Sequence, residues 1–349
     1  MDKIKLINHS SIYINNVNDN IGILTDPWYA GLAFNNGWSL LYQNNDNDIK
    51  NLLEKVNYIF ISHEHPDHFS VKFFIDYEKE IKKNKIIILF QETRDKRVEN
   101  FLKKKGFIIN ILKNENTIDL SQNLKLTIFK QGHMDSSFLL ETENFCHLNI
   151  NDCEFLDREL SLIKKKTLNK KKEIIIYIQF SYAAYRSTEK WLKQAADYKL
   201  DKIKKISNFF ESSLVVPFAS FIYFCHSENF ELNKHVNNCR NTSKYLENNK
   251  INHCFFNPEI DLVELGKVLK NNKELKNINE KSIDFWDRKI QSIKLQKYES
   301  DPSEILEDNI KNFLKRIKEK NNIYLLIFFR LMSFKFFFGD ILIKINKTD

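Results

Sequence analysis

Residues 61–68 read Ile-Ser-His-Glu-His-Pro-Asp-His and directly follow the apolar run VNYIF (56–60). That run suits a buried strand, so the histidines come where the strand ends. Imidazole nitrogen and carboxylate oxygen are ligands that zinc, iron and manganese accept. Alternate residues of an extended chain share a face, so His63 and His65 can point to one ion, while Asp67 and His68 reach a second. The alternative is a polar loop with chance histidines, but the whole chain contains only 9 of them.

Three further polar residues come after later apolar segments. His133 follows the run 124–131, Asp152 follows LNIN (148–151), and His226 comes after the run 213–218. Taken singly, each is better explained as a structural or surface residue. Taken together, they extend the motif to H-x-H-x-D-H … H … D … H, which supplies enough ligands for two metal ions.

The flanking sequence alternates between strand-like and helix-like segments. The short strands KIKLI, SIYIN and IGILT precede the histidine motif, and helices and strands alternate after Phe155. Two strand-then-helix halves predict two sheets packed between helices, which is an α/β fold of the αββα sandwich type. No Pro/Gly/Ser-rich linker interrupts the first part, so we expect a catalytic domain over residues 1–265 and a mostly helical C-terminal extension over residues 266–349.

Composition excludes several classes of protein. With 7 glycines in 349 residues and neither a G-x-G-x-x-G nor a G-x-x-x-x-G-K motif, a phosphate-binding loop is not expected. The net charge of +8 is spread along the chain, which argues against a nucleic-acid partner. The 5 cysteines form no C-x-x-C pair, and the N-terminus resembles a strand rather than a signal peptide, so a cytoplasmic location is expected.

An apolar run over residues 324–345 raises the question of membrane contact. Arg330 and Lys335 interrupt it, and charges near the centre of a membrane-spanning helix are costly. We therefore expect a packed helix or a pair of strands there, and no transmembrane span.

The complete motif resembles the metal signature of the metallo-β-lactamase superfamily. The resemblance implies two metal ions, with three histidines on the first, an aspartate and two histidines on the second, and one aspartate between them. In that order these ligands are His63, His65 and His133; Asp67, His68 and His226; and Asp152.

A narrower resemblance, to the catalytic domain of the CMP-N-acetylneuraminate hydroxylases, extends from about residue 3 to residue 290. The same branch is similar to the ascorbate-phosphate lactonases and to phospholipase-D-type enzymes. The segments that resemble the hydroxylases are NHSSIYI (8–14), LTDPW (24–28), AFNNGWSLL (33–41), YIFISHEHPDHFS (58–70), NINDC (149–153), VVPFASF with CHSE (215–228) and SIDFWD (282–287).

The animal hydroxylases carry a Rieske iron–sulfur domain, which needs two Cys-x-His pairs. This chain has no C-x-H pair and is expected to begin at the catalytic domain. An oxygenase built on it therefore requires an external electron donor, which we expect to be a ferredoxin, a Rieske protein or a cytochrome.

Further residues are candidates for roles beside the metals. His9 is expected to face the pocket as a proton donor or a substrate contact, or else to be a structural histidine at a strand end. Asp26 is expected to accept a hydrogen bond from a ligand imidazole, or else to be a turn residue before Pro27. The candidates for substrate binding are two loop tryptophans that packing explains better, a tyrosine after the strand 173–178, and an arginine that a solvated helix start explains better: Trp28, Trp38, Tyr182 and Arg186.

Three functional hypotheses follow from this site. The first is an oxygenase with two iron ions that hydroxylates a C–H bond of an N-acyl sugar or nucleotide sugar. The second is a zinc or manganese hydrolase, in which a metal-bound water attacks a phosphodiester, a lactone or an amide. The third is a metal-binding module without catalytic activity.

Overall fold

The computed structural model describes residues 1–167, 172–183 and 188–296, together with the backbone of two strands at 334–338 and 341–345. The chain divides into two compact units, Met1–Gln296 and Lys297–Asp349. Arg186 and the greater part of the apolar run 324–345 lie outside the described residues. No helix among the described residues is long and apolar enough to cross a membrane.

The strands and helices alternate along the chain much as the sequence predicts. They are β1 (Asp2–Asn8), β2 (Ser11–Asn16), β3 (Ile21–Thr25), β4 (Trp38–Leu40), α1 (Asp46–Leu53), β5 (Tyr58–Ile61), α2 (Val71–Asp76), α3 (Glu78–Lys83), β6 (Ile87–Gln91), α4 (Arg97–Lys104), β7 (Ile108–Leu112), β8 (Thr117–Asp119), β9 (Lys125–Gln131), β10 (Asp135–Glu141), β11 (Phe145–Asn151), α5 (Asp157–Thr167), β12 (Glu173–Gln179), α6 (Glu189–Phe210), β13 (Leu214–Phe218), β14 (Ile222–Phe224), α7 (Cys239–Asn248), β15 (Val263–Glu264), α8 (Leu265–Val268), α9 (Asn272–Gln291), β16 (Phe334–Phe338) and β17 (Ile341–Ile345).

The first sheet has seven strands in the order β15-β1-β2-β3-β5-β6-β7. Its first half is an antiparallel meander, and from β3 onward the strands run parallel, with Thr25 opposite Phe60 and Phe60 opposite Leu89. The parallel strands β5 and β6 are continuous apolar runs because both of their faces are covered.

The second sheet has six strands in the order β13-β12-β11-β10-β9-β8. Here β11, β12 and β13 are parallel, whereas β8, β9, β10 and β11 pair antiparallel. Each sheet thus has a block of parallel strands, whose carboxyl ends carry the loops that form the candidate site.

The main core lies between the two sheets, where Phe60 of the first contacts Phe138 of the second with ring centroids 4.7 Å apart. On the outer face of the first sheet, α1 to α4 bury a second apolar layer that includes Phe73 and Leu102. Helix α6 covers the second sheet through Ile203 and Ile206. The predicted αββα sandwich is therefore confirmed.

One detail differs from the sequence-based expectations. The helix predicted over Val71–Lys82 is two short helices, α2 and α3, separated at Tyr77. The first compact unit extends to Gln296, and within it α9 packs on the core through Trp286, which is 0% exposed and donates from Nε1 to the carbonyl of Phe256. A catalytic domain over residues 1–265 stays a prediction. In the second unit the described elements are β16 and β17, which pair antiparallel.

Candidate metal centre

The candidate site lies where the parallel strands of the two sheets end. The motif loop follows β5, Asp26 follows β3, Asn151 ends β11, and Asp135 is the first residue of β10. His9 occupies the tight turn between β1 and β2. Since the carboxyl ends of parallel strands meet at one edge, segments far apart in sequence converge there.

Three residues at this edge have a left-handed backbone. The φ angles are +20° at His9, +34° at Asp26 and +59° at Asn151. This region is unfavourable for residues other than glycine, and it persists only where the surrounding structure enforces it, most often at functional sites.

Among the described residues, three overlapping groups of imidazoles and carboxylates have ligand atoms within 4.8 Å of one another. His63 Nε2 lies 2.8 Å from His65 Nδ1 and 3.9 Å from an Asp135 oxygen. It also lies 3.7 Å from Asp152 Oδ2, which is 4.0 Å from His68 Nε2. The groups are His63, His65 and Asp135; His63, His68 and Asp152; and His9, Asp67 and His68.

The buried carboxylate of Asp26 orients this cluster. Its Oδ1 accepts from the backbone N–H of Ser62 at 2.7 Å. Its Oδ2 accepts from Ser62 Oγ at 2.8 Å, from His68 Nδ1 at 3.1 Å and from Asn151 Nδ2 at 3.1 Å. Because His68 Nδ1 donates in this bond, its Nε2 is the ring nitrogen that faces the cluster and that can bind a metal once its proton is displaced.

Ser62 has the same effect on the neighbouring imidazole. Its hydroxyl donates to Asp26, so it accepts from His63 Nδ1 at 3.0 Å. His63 Nε2 therefore also faces the cluster as an acceptor. Both imidazoles are held in the tautomer that binds a metal.

Electrostatics within the cluster favour a cation. Burial lowers the pKa of His63, and the neighbouring His68 lowers it further. Burial opposes protonation of His68 too, but the carboxylates of Asp67 and Asp152 outweigh it and hold the pKa of His68 well above its usual value. Burial and the nearby Asp152 raise the pKa of Asp135, against the attraction of His63. Carboxylates crowded around buried imidazoles are stabilised by a bound cation.

Orphaned polar atoms support the same conclusion. The Oδ1 atoms of Asp67 and Asp152 are buried and have no hydrogen-bond partner in the described part of the chain. Leaving such an acceptor unpaired costs about 1–3 kcal/mol, which a bound ion would offset. The donor set of imidazole and carboxylate thus fits a metal centre, which is buried around Asp67 and more open around His65.

The structure does not bring His133 into the cluster. Strand β9 ends at Gln131, and the turn at Gly132, with φ of +59°, carries His133 to the exposed surface. Asp135 is the residue that re-enters the sheet beside His63. The sequence analysis missed Asp135, although its position two residues after His133 was a usable signal.

His226 is likewise in none of the three groups. It is half-buried in a turn after β14, where its Nδ1 accepts from the N–H of Glu228 at 3.2 Å and its own N–H donates to Asn229 Oδ1 at 3.0 Å. The group around Asp67 contains His9 and His68 instead, and His9 Nε2 is 3.3 Å from Asp67 Oδ2.

The aromatic candidates for substrate binding are buried in one hydrophobic cluster. Trp28 contacts the His9 ring edge-on, Trp38 packs on Phe224, and Tyr182 donates its hydroxyl to the carbonyl of Leu232. The structure assigns them to packing around the site rather than to its opening.

Phe34 is an aromatic residue at the open side that the sequence analysis did not select. It is 37% exposed, and its ring centroid lies 5.7 Å from that of His65. Its location in the long loop before the motif was the only available signal.

A cavity of about 580 Å³ adjoins the motif loop. Glu64, which separates His63 from His65, lies on its wall, as does Met134, the neighbour of Asp135. Its cationic lining includes Arg94, which forms no ion pair with a described residue. The cavity therefore offers room for a ligand next to the cluster.

Comparison by sequence finds one kind of enzyme. No family model matches the chain. It is 29% identical over 140 residues to the cytidine monophosphate-N-acetylneuraminic acid hydroxylase of Danio rerio, over 38% of this chain and 22% of the relative. The Xenopus laevis hydroxylase is also 29% identical, over 134 residues, 37% of this chain and 22% of the relative. The chain thus matches less than a quarter of the length of these curated relatives.

Comparison by structure finds the same fold in more distant proteins. CmlA beta-hydroxylase superposes with a TM-score of 0.52 at 11% identity, over 76% of this chain and 54% of that chain. A possible metal-dependent hydrolase from Veillonella parvula superposes with a TM-score of 0.54 at 12% identity, over 76% of this chain and 100% of that chain.

The similarity expected from the motifs is therefore confirmed at both levels. Two mixed sheets lie between helices, and a histidine–aspartate cluster occupies the edge where their parallel strands end. The chain has the metallo-β-lactamase fold, and the relatives that resemble it in sequence are CMP-N-acetylneuraminic acid hydroxylases.

Proposed function

We propose that this chain is an O₂-dependent hydroxylase with a dinuclear iron centre, acting on a C–H bond of an N-acyl sugar carried by a nucleotide. The observation that carries the proposal is the composition of the cluster. It combines imidazoles with three aspartates, one of which, Asp135, lies near His63 while His133 is exposed. Two imidazoles and one carboxylate, as in the group His63, His65 and Asp135, are typical of non-haem iron oxygenases when coordination positions stay open. The partial likeness to hydroxylases supports the same choice.

The ligands divide between two ions according to the distances in the cluster. His63, His65 and Asp135 would hold the first ion, and Asp67 and His68 would hold the second. Asp152 Oδ2 lies 3.7 Å from His63 Nε2 and 4.0 Å from His68 Nε2, so it would be within reach of both. Such a centre would supply the binding and reduction of O₂, chemistry that side chains alone do not perform.

The chain's own residues orient and enclose this centre. Asp26 and Ser62 hold the ligand imidazoles of His63 and His68 with their Nε2 atoms toward the cluster. The buried aromatic ring of Trp28 keeps water from the His9 side. Phe34 and His65 border the open side, where a substrate enters.

The adjoining cavity suits an anionic substrate such as a nucleotide sugar. Arg97 is already engaged by Glu64 and Asp95. Arg94, on the same wall, forms no ion pair with a described residue, so its guanidinium can bind a phosphate bidentately. Electrons come from a separate donor, a ferredoxin, a Rieske protein or a cytochrome.

The test is to load the protein with iron without oxygen, reduce it chemically, and add O₂ with a CMP-linked N-acyl sugar. We expect O₂ consumption and a product that has gained one oxygen atom, both lost in His63→Ala and kept in Asp119→Asn, an exposed control. Iron-loaded protein that takes up no O₂ would overturn the proposal.

The second candidate is a metal-dependent hydrolase. It is favoured by the structural similarity to the Veillonella parvula protein, a possible metal-dependent hydrolase that is covered over 100% of its own chain. Zinc-loaded protein that cleaves a chromogenic phosphodiester, in the absence of any iron-dependent O₂ uptake, would establish this alternative.

A further inference from the structure

We infer that His9, in the turn between β1 and β2, is the third protein ligand of the second metal ion, in the place that the superfamily pattern assigns to His226. The inference rests on the proposed dinuclear centre. It gives His9 a role different from that of a proton donor or substrate contact.

The first argument is the spacing of the ligand atoms. Asp67 Oδ2 lies 3.3 Å from His9 Nε2 and 3.3 Å from His68 Nε2. A charge-assisted hydrogen bond between nitrogen and a carboxylate is about 2.7–2.9 Å long, so both distances are too long for the strongest pairing. Ligand atoms about 2.1 Å from a tetrahedral ion lie about 3.4 Å apart, which matches the observed spacing.

The second argument is the preorganisation of His9. Its side chain is 2% exposed, and its φ of +20° lies in a backbone region that few residues other than glycine occupy. Its N–H donates to Asn8 Oδ1 at 2.9 Å, and its carbonyl accepts from Ala219 at 2.8 Å, so both sheets hold the turn. The ring contacts Trp28 edge-on at 5.7 Å. A strained, buried backbone held from two sides is typical of a site that requires one geometry.

The third argument is the unpaired capacity at this corner of the cluster. Asp67 Oδ1 is buried and has no hydrogen-bond partner among the described residues. An unpaired buried acceptor costs about 1–3 kcal/mol, which a bound ion would offset. The other oxygen of the same carboxylate faces His9 Nε2, so the unpaired acceptor and the imidazole lie at one corner of the cluster.

His226 has a different environment. Its Nδ1 accepts from the Glu228 N–H, and the carbonyl of His226 accepts from Asn229 at 3.1 Å, so it belongs to its own local turn. It is half-buried, whereas His9, Asp67 and His68 are all buried. The turn that carries His9 is thus the better source of a ligand.

The test compares His9→Gly and His9→Gln with His226→Ala by counting the ions bound per chain after loading with Co²⁺, and by titrating the second ion. Glycine accepts the positive φ and leaves space for free imidazole. We expect about two ions in the wild type and in His226→Ala. Both His9 variants should keep the first ion and bind the second more than 100-fold more weakly, beyond the roughly 10–100-fold loss typical of residues that only support a ligand. Added imidazole should restore the second ion to His9→Gly but not to His9→Gln.

The outcomes separate the inference from the proposed function. Two ions at wild-type affinity in both His9 variants, or loss of the second ion in His226→Ala alone, would overturn the role of His9 and leave the dinuclear centre standing. A wild-type protein that binds no ion would overturn both. Thermal unfolding at the wild-type midpoint in the metal-free His9→Gly protein would show that the loss of the ion does not come from misfolding.

Discussion

Replacing Asp26 by Asn removes the acceptor that orients the metal ligands while preserving shape. Asparagine tolerates the φ of +34° at this position better than most residues, so the backbone need not move. The Ser62 N–H can still donate to Oδ1. At Oδ2, however, an amide NH₂ would replace the oxygen that accepts from Ser62 Oγ, His68 Nδ1 and Asn151 Nδ2. The Ser62 hydroxyl can rotate and accept from this NH₂, but the two N–H donors of His68 and Asn151 would face another donor.

The size of the effect follows from these contacts. Each buried donor left without an acceptor costs about 1–3 kcal/mol, so two of them should lower the free energy of unfolding by about 2–6 kcal/mol. His68 loses the bond that fixes its tautomer, so metal affinity should fall about 10–100-fold. That loss corresponds to about 1.4–2.8 kcal/mol of binding free energy.

The assay is competition for metal with a chromophoric chelator, with urea unfolding of the metal-free protein measured in parallel. Asp119→Asn is the matched control, since Asp119 is exposed and pairs only with Lys125 at 3.4 Å among the described residues. If Asp26→Asn binds metal within twofold of the wild type, Asp26 does not orient the ligands and the reasoning is refuted.

Three further predictions concern stability. Burial raises the pKa of Asp2, but His147 and other hydrogen-bond donors lower it more, so the folded-state pKa lies below the unfolded value of about 3.9. The Asp2 carboxylate therefore stabilises the fold above that pH, and the stabilisation is lost as the pH falls through the folded-state pKa. In Asp2→Asn the midpoint of urea unfolding should fall less steeply with decreasing pH than in the wild type, and an unchanged slope would contradict this. Gly22→Ala should destabilise the protein in denaturant titrations, because the added Cβ would lie 2.1 Å from the Lys55 carbonyl oxygen. A variant as stable as the wild type would show that the backbone at Lys55 can move to accommodate the methyl group. Trp286→Ala should cost about 3–5 kcal/mol in the same titrations, because the side chain is fully buried; a loss below 1 kcal/mol would mean that α9 adds little to the core.

The sequence was informative where the signal is local. Apolar runs ending in turn residues located β1 to β3, β5 and β6, because strand period and buried composition are written in consecutive residues. The break between α2 and α3 at Tyr77 was missed. The packing of α9 on the core was also not visible in the sequence, since it depends on contacts between segments distant in sequence. Trp286 in α9, for instance, donates to Phe256, thirty positions earlier.

For the candidate site, the sequence by itself determined that His63, His65, Asp67 and His68 share one short loop after a buried strand, and it thereby indicated both the fold and the metal chemistry. Only the tertiary structure decided which distant residues complete the cluster. It selected Asp135 over His133 and placed His9 beside Asp67. The physical reason is that the direction of a side chain in a turn depends on the backbone around it and on the segments packed against it. The bend at residues 132–134 places His133 on the surface, whereas the contact between the turn at His9 and Ala219 of the second sheet holds His9 in the interior.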